Sequence, residues 1–145
     1  MSLFSAWEVS ASGLVAQRTR VELLVQNLAN SETTRTPEGG PYRRRDAIFM
    51  SEPAPGSFRT QLASAFGDAL EGVRVAEVTV DDSEPQRRYQ PGHPDADSQG
   101  YVAFPHINPV EDMVDLTSAV RSYQANLAAM NSVKEMLQRS MDLLR

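Results

Sequence analysis

The one segment that could hold a metal ion or transfer protons is His93-Pro94-Asp95-Ala96-Asp97. An imidazole and two carboxylates can bind a divalent cation, so its acidic and histidine side chains form a candidate ligand set. The prolines within and before the segment predict a tight turn instead, because aspartates in turns bond to their own backbone. The only other histidine is His106, and no calcium-binding loop pattern is present, so a structural turn is favoured over a metal site.

No other residue pattern supports catalysis. The chain has no cysteine, which excludes disulfides, thiolate-bound zinc, iron–sulfur clusters and thiol nucleophiles. There is no Gly-x-Ser-x-Gly motif, and neither histidine lies in a recognisable triad context. Gly39-Gly40-Pro41 is too short to be a phosphate-binding loop. We therefore expect a protein that is not an enzyme and uses no metal or cofactor.

Charge and hydropathy exclude two further classes. The 145 residues are 41% hydrophobic with a formal net charge of −5, and the only basic run, Arg43-Arg44-Arg45, is followed by Asp46. A nucleic-acid-binding protein is therefore not expected. No apolar run approaches the roughly 18 residues of a membrane span. No basic residue precedes Arg18 and no long apolar run follows it, so we expect no cleaved secretory signal peptide.

The distribution of prolines divides the chain into three parts. All nine prolines lie between Pro37 and Pro109, together with seven of the eight glycines. The prediction is an α+β fold with an N-terminal helical segment over residues 1–36, a small β-containing middle over 37–108 and a C-terminal helix over 109–145.

The C-terminal segment has two series of positions that recur every seven residues. The first comprises Leu116, Tyr123, Met130, Leu137 and Leu144, and the second comprises Met113, Val120, Leu127, Lys134 and Met141. Nine of these ten residues are apolar, which is typical of a coiled coil. Asn108 followed by Pro109 predicts the helix start. Lys134, the only polar residue of the ten, suits a role in setting register or oligomeric state.

The N-terminal segment has a weaker repeat, formed by Trp7, Leu14, Val21 and Leu28. It predicts a helix over about Ser5–Ala29 that ends near Asn30. Two ends of similar length, each with apolar surface left over, are expected to pair with each other as a coiled coil. The alternative is that each helix packs separately on the middle domain.

The middle segment predicts short strands. Ala47–Met50 and Tyr101–Phe104 are apolar runs of strand length. The valines from Val73 to Val80 alternate in two pairs that are out of phase by one residue, which indicates a strand with a bulge at Ala76-Glu77. Residues 58–70 are interpreted as a short helix or a loosely ordered insertion.

Several motifs resemble a known family. Ser10–Leu14, Ala16–Arg18 and Asn27–Asn30 resemble the N-terminal signature of the bacterial flagellar rod and hook axial proteins. The likeness to the proximal-rod members of that family continues through the following motifs, in order: Thr36–Arg44, Tyr89–Asp97, Gly100–Val102 and Arg121–Asn126.

This resemblance implies a structural subunit of the flagellar basal-body rod, the drive shaft that carries motor torque and encloses the export channel. Members polymerise through their terminal helices, face their β-containing middle outward, and leave through the flagellar type III export apparatus without a cleaved signal. The implied partners are other copies, neighbouring rod proteins, a base-of-rod adaptor, membrane-ring components and the export apparatus.

Two groups of residues are predicted to make contacts in such an assembly. The predicted helical interface comprises Trp7, Leu14, Val21, Leu28, Asn30, Met113, Leu116, Val120, Tyr123, Leu127, Met130, Leu137 and Leu144. The predicted inter-subunit loop and turn comprise Pro37, Gly39, Gly40, Pro41 and Tyr42, and Pro91, Gly92, His93, Pro94 and Asp95. The heptads and the acidity alone would also suit a cytoplasmic coiled-coil adaptor or an export-chaperone-like module.

Overall fold

A computed structural model describes the chain over residues 3–53 and 71–143. The elements follow in the order α1 (Leu3–Ala29), β1 (Arg45–Pro53), β2 (Glu71–Val80), β3 (Gln86–Tyr89), β4 (Tyr101–Phe104) and α2 (Pro109–Asp142). Two long terminal helices enclose a small antiparallel-strand region, as the sequence predicts. The predicted helix or insertion over 58–70, and Leu144, lie outside the described residues.

Local sequence signals predict the start of α2 and the end of α1. The side chain of Asn108 accepts a hydrogen bond from the Val110 amide, and Pro109 is the first helical residue, so the predicted start of α2 is confirmed. Helix α1 ends at Ala29 as predicted, but it begins at Leu3, two residues before the predicted Ser5. At 1.5 Å per residue the helices are roughly 40 and 51 Å long.

The two helices pack side by side and run antiparallel. Arg20 forms an ion pair with Asp115 at 3.6 Å, while Gly13, earlier in α1, lies against Asn126, later in α2. Ala16 of α1 and Ala119 and Val133 of α2 are buried, as are Leu23 and Leu24 of α1, which border a groove shared with Ala47 and Phe49 of β1. The small residues among them allow the two backbones to approach closely.

Strands β1 and β2 form an antiparallel ribbon along α1. The register shifts between Ile48 and Phe49, where Ile48 faces Glu77 and Phe49 faces Val75. Ala76 is therefore the extra residue, and the predicted bulge is confirmed. The strand predicted at Ala47–Met50 is confirmed within the longer β1.

Strands β3 and β4 form a second antiparallel pair. The predicted strand Tyr101–Phe104 is confirmed, but β3 was not predicted, because its sequence Gln-Arg-Arg-Tyr has no apolar alternation. All four β3 residues are exposed, whereas Val102 and Phe104 of β4 are buried. The guanidinium of Arg88 covers the Phe104 ring at 4.8 Å from its centroid, which shields the ring from water.

Candidate assembly surfaces and the junctions that position them

The first junction is at Ser12 and Gly13, in the Ser10–Leu14 motif. The Ser12 hydroxyl donates to the Val9 carbonyl at 2.7 Å and accepts from the Val73 amide of β2 at 3.0 Å. A Cβ atom on Gly13 would lie 2.9 Å from Nδ2 of Asn126. Two adjacent small residues therefore let α1 contact β2 and α2 at the same level.

The second junction is at Asn27, near the other end of α1. This side chain is fully buried; its Nδ2 donates to the Arg45 carbonyl at 2.8 Å, and its Oδ1 accepts from the Arg45 amide at 3.0 Å. The Tyr42 hydroxyl also donates to Oδ1, at 3.0 Å. Burial raises the pKa of the Tyr42 hydroxyl, which favours its protonated, donating form. Asn27 thus bonds the start of β1 as a neighbouring strand would.

An ion pair between a buried carboxylate and an arginine that is 22% exposed lies beside this junction. The Asp112 side chain, in the first turns of α2, is fully buried, and its Oδ1 is 3.2 Å from Nη2 of Arg44. Nε of Arg44 is also 3.2 Å from a carboxylate oxygen of Asp46. Among the residues described, no group donates a well-aligned hydrogen bond to either Asp112 oxygen. Burial raises the pKa of the Asp112 carboxyl, and Arg44 opposes that rise.

The predicted loop folds as a tight turn. The Thr36 amide donates to the Gly40 carbonyl at 2.8 Å, and the Gly39 amide donates to the Thr36 carbonyl at 3.0 Å. Gly39 and Gly40 have φ values of 91° and 79°, a conformation that disfavours other residues. Pro37, Gly39 and Gly40 are exposed, so this turn projects into solvent.

The predicted loop and the predicted turn meet in the structure. The Thr34 hydroxyl donates to Oδ2 of Asp95 at 2.8 Å, and Arg35 is 3.6 Å from its other carboxylate oxygen. Pro41 and Pro94 line the groove between the two segments. The carboxylate that sequence offered as a metal ligand therefore connects two loops that lie 61 residues apart in sequence.

The turn interpretation of the 93–97 segment is supported by its hydrogen bonds. Oδ1 of Asp97 accepts from the amides of Gln99 and Tyr101, and Nδ1 of His93 accepts from the Asp95 amide. The His93 ring also packs edge-on against Phe104, with centroids 6.2 Å apart. Over residues 3–53 and 71–143, no group of three or more histidine or acidic side chains could hold a metal ion.

The two heptad series of α2 lie in different environments. Leu116, Tyr123, Met130 and Leu137 are half-buried, as are Trp7, Leu14, Val21 and Leu28 of α1. The second series faces away from α1: Met113 is 53% exposed, Val120 37% and Leu127 44%, and Lys134 and Met141 are exposed. In the adjacent series, one residue earlier at each repeat, Asp112, Ala119 and Val133 are buried, and Asn126 contacts Gly13 of α1.

Exposed apolar residues therefore form an outward surface on α2. We call Met113, Val120 and Leu127 the α2 stripe; Val110 and Val114, 71% and 66% exposed, extend the apolar surface beside it. On α1, Val15 and Val25 are exposed to 66% and 48%. Neither helix of the described chain is apolar over a length that could cross a membrane.

Of the residues that build the two junctions, Tyr42 was among the predicted loop residues, whereas Ser12, Gly13 and Asn27 were not predicted site residues. Ser12, Gly13 and Asn27 belong to motifs that carried the family resemblance, but the sequence assigned them no contact. Asn30, which was predicted at the helical interface, donates to the Gln26 carbonyl and accepts from Thr33 at the end of α1. Asp112 lies seven residues before Ala119 and fourteen before Asn126. This heptad spacing could have indicated that Asp112 lies on the same side of α2 as those two residues.

The C-terminal part of the chain, residues 98–143, matches the family described as "Flagellar basal body rod FlgEFG protein C-terminal". This match covers β4 and α2. Together with the paired terminal helices around a small β region, it defines the class as that of the flagellar basal-body rod proteins.

Relatives that match over their full length identify the family within this class. The chain is 40% identical to "Flagellar basal-body rod protein FlgC" of Borreliella burgdorferi, over 100% of this chain and 99% of that protein. It is 41% identical to FlgC of Bacillus subtilis, over 99% of both chains. For FlgC of Salmonella typhimurium the identity is 36%, over 99% of this chain and 98% of the relative. The chain belongs to the FlgC family.

Proposed function

We propose that this chain is a structural subunit of the flagellar basal-body rod and that it polymerises through its paired terminal helices. The observation that supports the proposal most directly is the α2 stripe, which stays exposed after α2 has packed on α1. Exposed apolar side chains that recur along one face of a helix indicate a protein interface. A structural role also agrees with the chemistry of the described residues, whose polar clusters connect elements of the fold.

The terminal helices, in this proposal, pair as an antiparallel coiled coil within each subunit. The support is the alternation of three- and four-residue steps along the packed face of α2, from Asp112 through Leu116, Ala119 and Tyr123 to Asn126. The interior of the pair is then largely satisfied within the subunit. The α2 stripe, offset from that face, is left for other copies and neighbouring rod proteins.

The β-containing middle faces outward in this arrangement, and its loops contact adjacent subunits. The support is that Asp95 of the 91–97 turn bonds Thr34 and Arg35, the residues that lead into the 36–40 turn. We further propose that the subunit reaches the basal body through the flagellar type III export apparatus without a cleaved signal. There it contacts the base-of-rod adaptor and the ring components, encloses the export channel and transmits torque. Family membership supports these assignments.

If the α2 stripe is buried between subunits, single substitutions in it should change the free energy of assembly by a measurable amount. Full burial of a Leu, Met or Val side chain stabilises by about 1.5–3 kcal/mol, so covering these half-exposed residues contributes about 1 kcal/mol each. A carboxylate placed in the same contact would be desolvated without a partner, at a cost of several kcal/mol.

The test is Leu127→Asp, with Leu127→Met as the matched control of similar volume. Because Leu127 is 44% exposed, the aspartate variant should keep the subunit's helical circular dichroism and expression. It should nevertheless abolish rod assembly, seen in isolated basal bodies, and swimming, whereas the methionine variant should retain both. Normal swimming of Leu127→Asp would contradict the proposal. A stable helical dimer of the wild-type chain at micromolar concentration would favour the cytoplasmic adaptor instead.

A further inference from the structure

Asp112 is an unusual residue for the position it occupies. Four positions of α2 are spaced by seven residues: Asp112, Ala119 and Val133 are buried, and Asn126 lies against Gly13 of α1. Ala119, Asn126 and Val133 are uncharged. Asp112 is the one buried charged residue among the residues that the structure describes. A position equivalent to Ala119 and Val133 would be expected to hold an apolar residue.

The contacts of Asp112 do not explain it as a source of stability. Its carboxylate has left water completely, it faces Arg44 at 3.2 Å, and no well-aligned hydrogen bond to it is found in the described ranges. Arg44 is shared with Asp46 of β1. For an ion pair in this environment the desolvation cost can exceed the attraction, and apolar residues of similar volume are often as stable or more stable.

The pair does, however, distinguish one alignment of the helices from others. The positions seven and twenty-one residues after Asp112 hold Ala119 and Val133, which are apolar and buried. Sliding α2 by one heptad, about 10 Å, would therefore place Ala119 where Asp112 now lies. In the observed alignment the Asp112 carboxylate meets Arg44 just before β1. After a slip of one heptad Asp112 loses that partner, and Arg44, which keeps its contact with Asp46, faces Ala119 instead.

We propose that the Arg44–Asp112 ion pair specifies the register of α2 against α1 and β1. It does so without adding to the free energy of unfolding. A single buried polar residue in a coiled-coil seam commonly has this role. The register determines the height at which each subunit presents its α2 stripe to the next. This last consequence rests on the proposed polymerisation, whereas the register itself does not.

The test compares the wild-type chain with Arg44→Met/Asp112→Leu, in which both charges are replaced by apolar side chains. Because the chain has no cysteine, pairs of introduced cysteines report register in the purified full-length protein. Arg20→Cys with Asp115→Cys joins residues that form an ion pair in the observed alignment. Arg20→Cys with Ser122→Cys, one heptad further along α2, reports a slipped alignment when a short thiol-specific cross-linker is added.

The expected result is that the wild-type background yields the 20–115 product alone, and the apolar double variant yields both products. The double variant should have an unchanged or higher Tm, yet it should lose most rod assembly and swimming. Arg44→Met alone should have a lower Tm than the double variant, because it leaves the Asp112 carboxylate buried without a cation.

Three results would overturn the inference. These are a double variant that gives only the 20–115 product, a double variant that unfolds or has a clearly lower Tm, and a wild-type background without the 20–115 product. Failure of the proposed function is distinguishable, because it would appear as normal swimming of Leu127→Asp, which retains the Arg44–Asp112 pair and its register.

Discussion

Asn27 offers the sharpest test of how the β region is held on the helices. Replacing it with alanine removes three hydrogen bonds, two to the Arg45 backbone and one from the Tyr42 hydroxyl. At about 1 kcal/mol net for each bond, Asn27→Ala should lower the free energy of unfolding by about 3 kcal/mol. For a domain of this size that corresponds to a Tm decrease of roughly 6–12 °C.

Asn27→Asp should be more damaging at neutral pH than the alanine variant. The introduced carboxylate can still accept from the Arg45 amide and from Tyr42, but it cannot donate to the Arg45 carbonyl, and it is a fully buried charge. Burial and the facing carbonyl oxygen both favour the protonated form, so the folded-state pKa of the introduced carboxyl lies above its unfolded value of about 3.9.

The sign of the pH dependence follows from that shift. A raised acid pKa contributes stability that is present below the unfolded value and is lost as pH rises through the folded value. The Tm difference between Asn27→Asp and the wild type should therefore narrow as pH falls from 7 towards 4. In the protonated form the introduced hydroxyl can again donate to the Arg45 carbonyl.

Thermal unfolding followed by circular dichroism, repeated across this pH range, measures both effects. Asn30→Ala and Asn30→Asp are the matched controls, because Asn30 is the same residue type three positions later and its side-chain bond to Gln26 is exposed to solvent. Those variants affect this exposed bond and the one that Asn30 accepts from Thr33, so they should cost at most about 2 kcal/mol with little pH dependence. Equal losses at the two positions, or a pH-independent Asn27→Asp, would refute the reasoning.

Three further predictions concern the other contacts. Gly13→Ala should leave the Tm nearly unchanged, because a gain of up to about 1 kcal/mol in helix propensity offsets a small shift of the flexible Asn126 amide. Gly13→Leu should separate the helices and lower the Tm. Combining Gly13→Leu with Asn126→Ala should restore part of that Tm loss. Recovery that is absent in this double variant would argue against the contact. Asp112→Asn should become more stable relative to the wild type as pH rises above about 4. Because the folded-state pKa of Asp112 is raised, the stability that its protonated form contributes is lost as pH rises through that pKa. Thermal unfolding between pH 4 and 8 measures the Tm difference, and a difference that stays constant would contradict the prediction. Asp95→Ala should free the 91–97 turn from Thr34 and Arg35 and increase amide hydrogen exchange there with a Tm change of a few degrees at most; unchanged exchange would show that the bond does not hold the turn.

The sequence predicted the helices well because their signals are local. The cap at Asn108, the proline after it and the end of α1 at Ala29 depend on neighbouring residues alone, and all three are observed. The bulge at Ala76 was predictable for the same reason, since the phase change among the valines lies within one strand. Strand β3 was missed because its existence depends on pairing with β4, which no pattern within Gln86–Tyr89 reveals.

The candidate site was predicted less completely, because its contacts are polar and distant in sequence. Hydrophobic periodicity finds the most apolar stripe of a helix, which in α2 includes Met113, Val120 and Leu127. The contact with α1 instead uses the adjacent series containing Ala119 and Asn126, because Gly13 and Ala16 admit close backbone approach there. Asn27 and Asp112 are buried against expectation for polar residues, and their partners Arg45 and Arg44 lie in another segment of the chain.

The two attachments of the β1–β2 ribbon to α1 have a mechanical consequence. Ser12 bonds β2 at one level and Asn27 bonds β1 at another, fifteen residues or roughly 22 Å apart along the helix. A ribbon fixed at one point could swivel about it, but one fixed at two separated points can rotate only if a bond breaks. A sideways force on the β region therefore acts on α1 at two sites about four helical turns apart. Because the force is shared between these sites, it turns the helix and the ribbon together as one rigid unit.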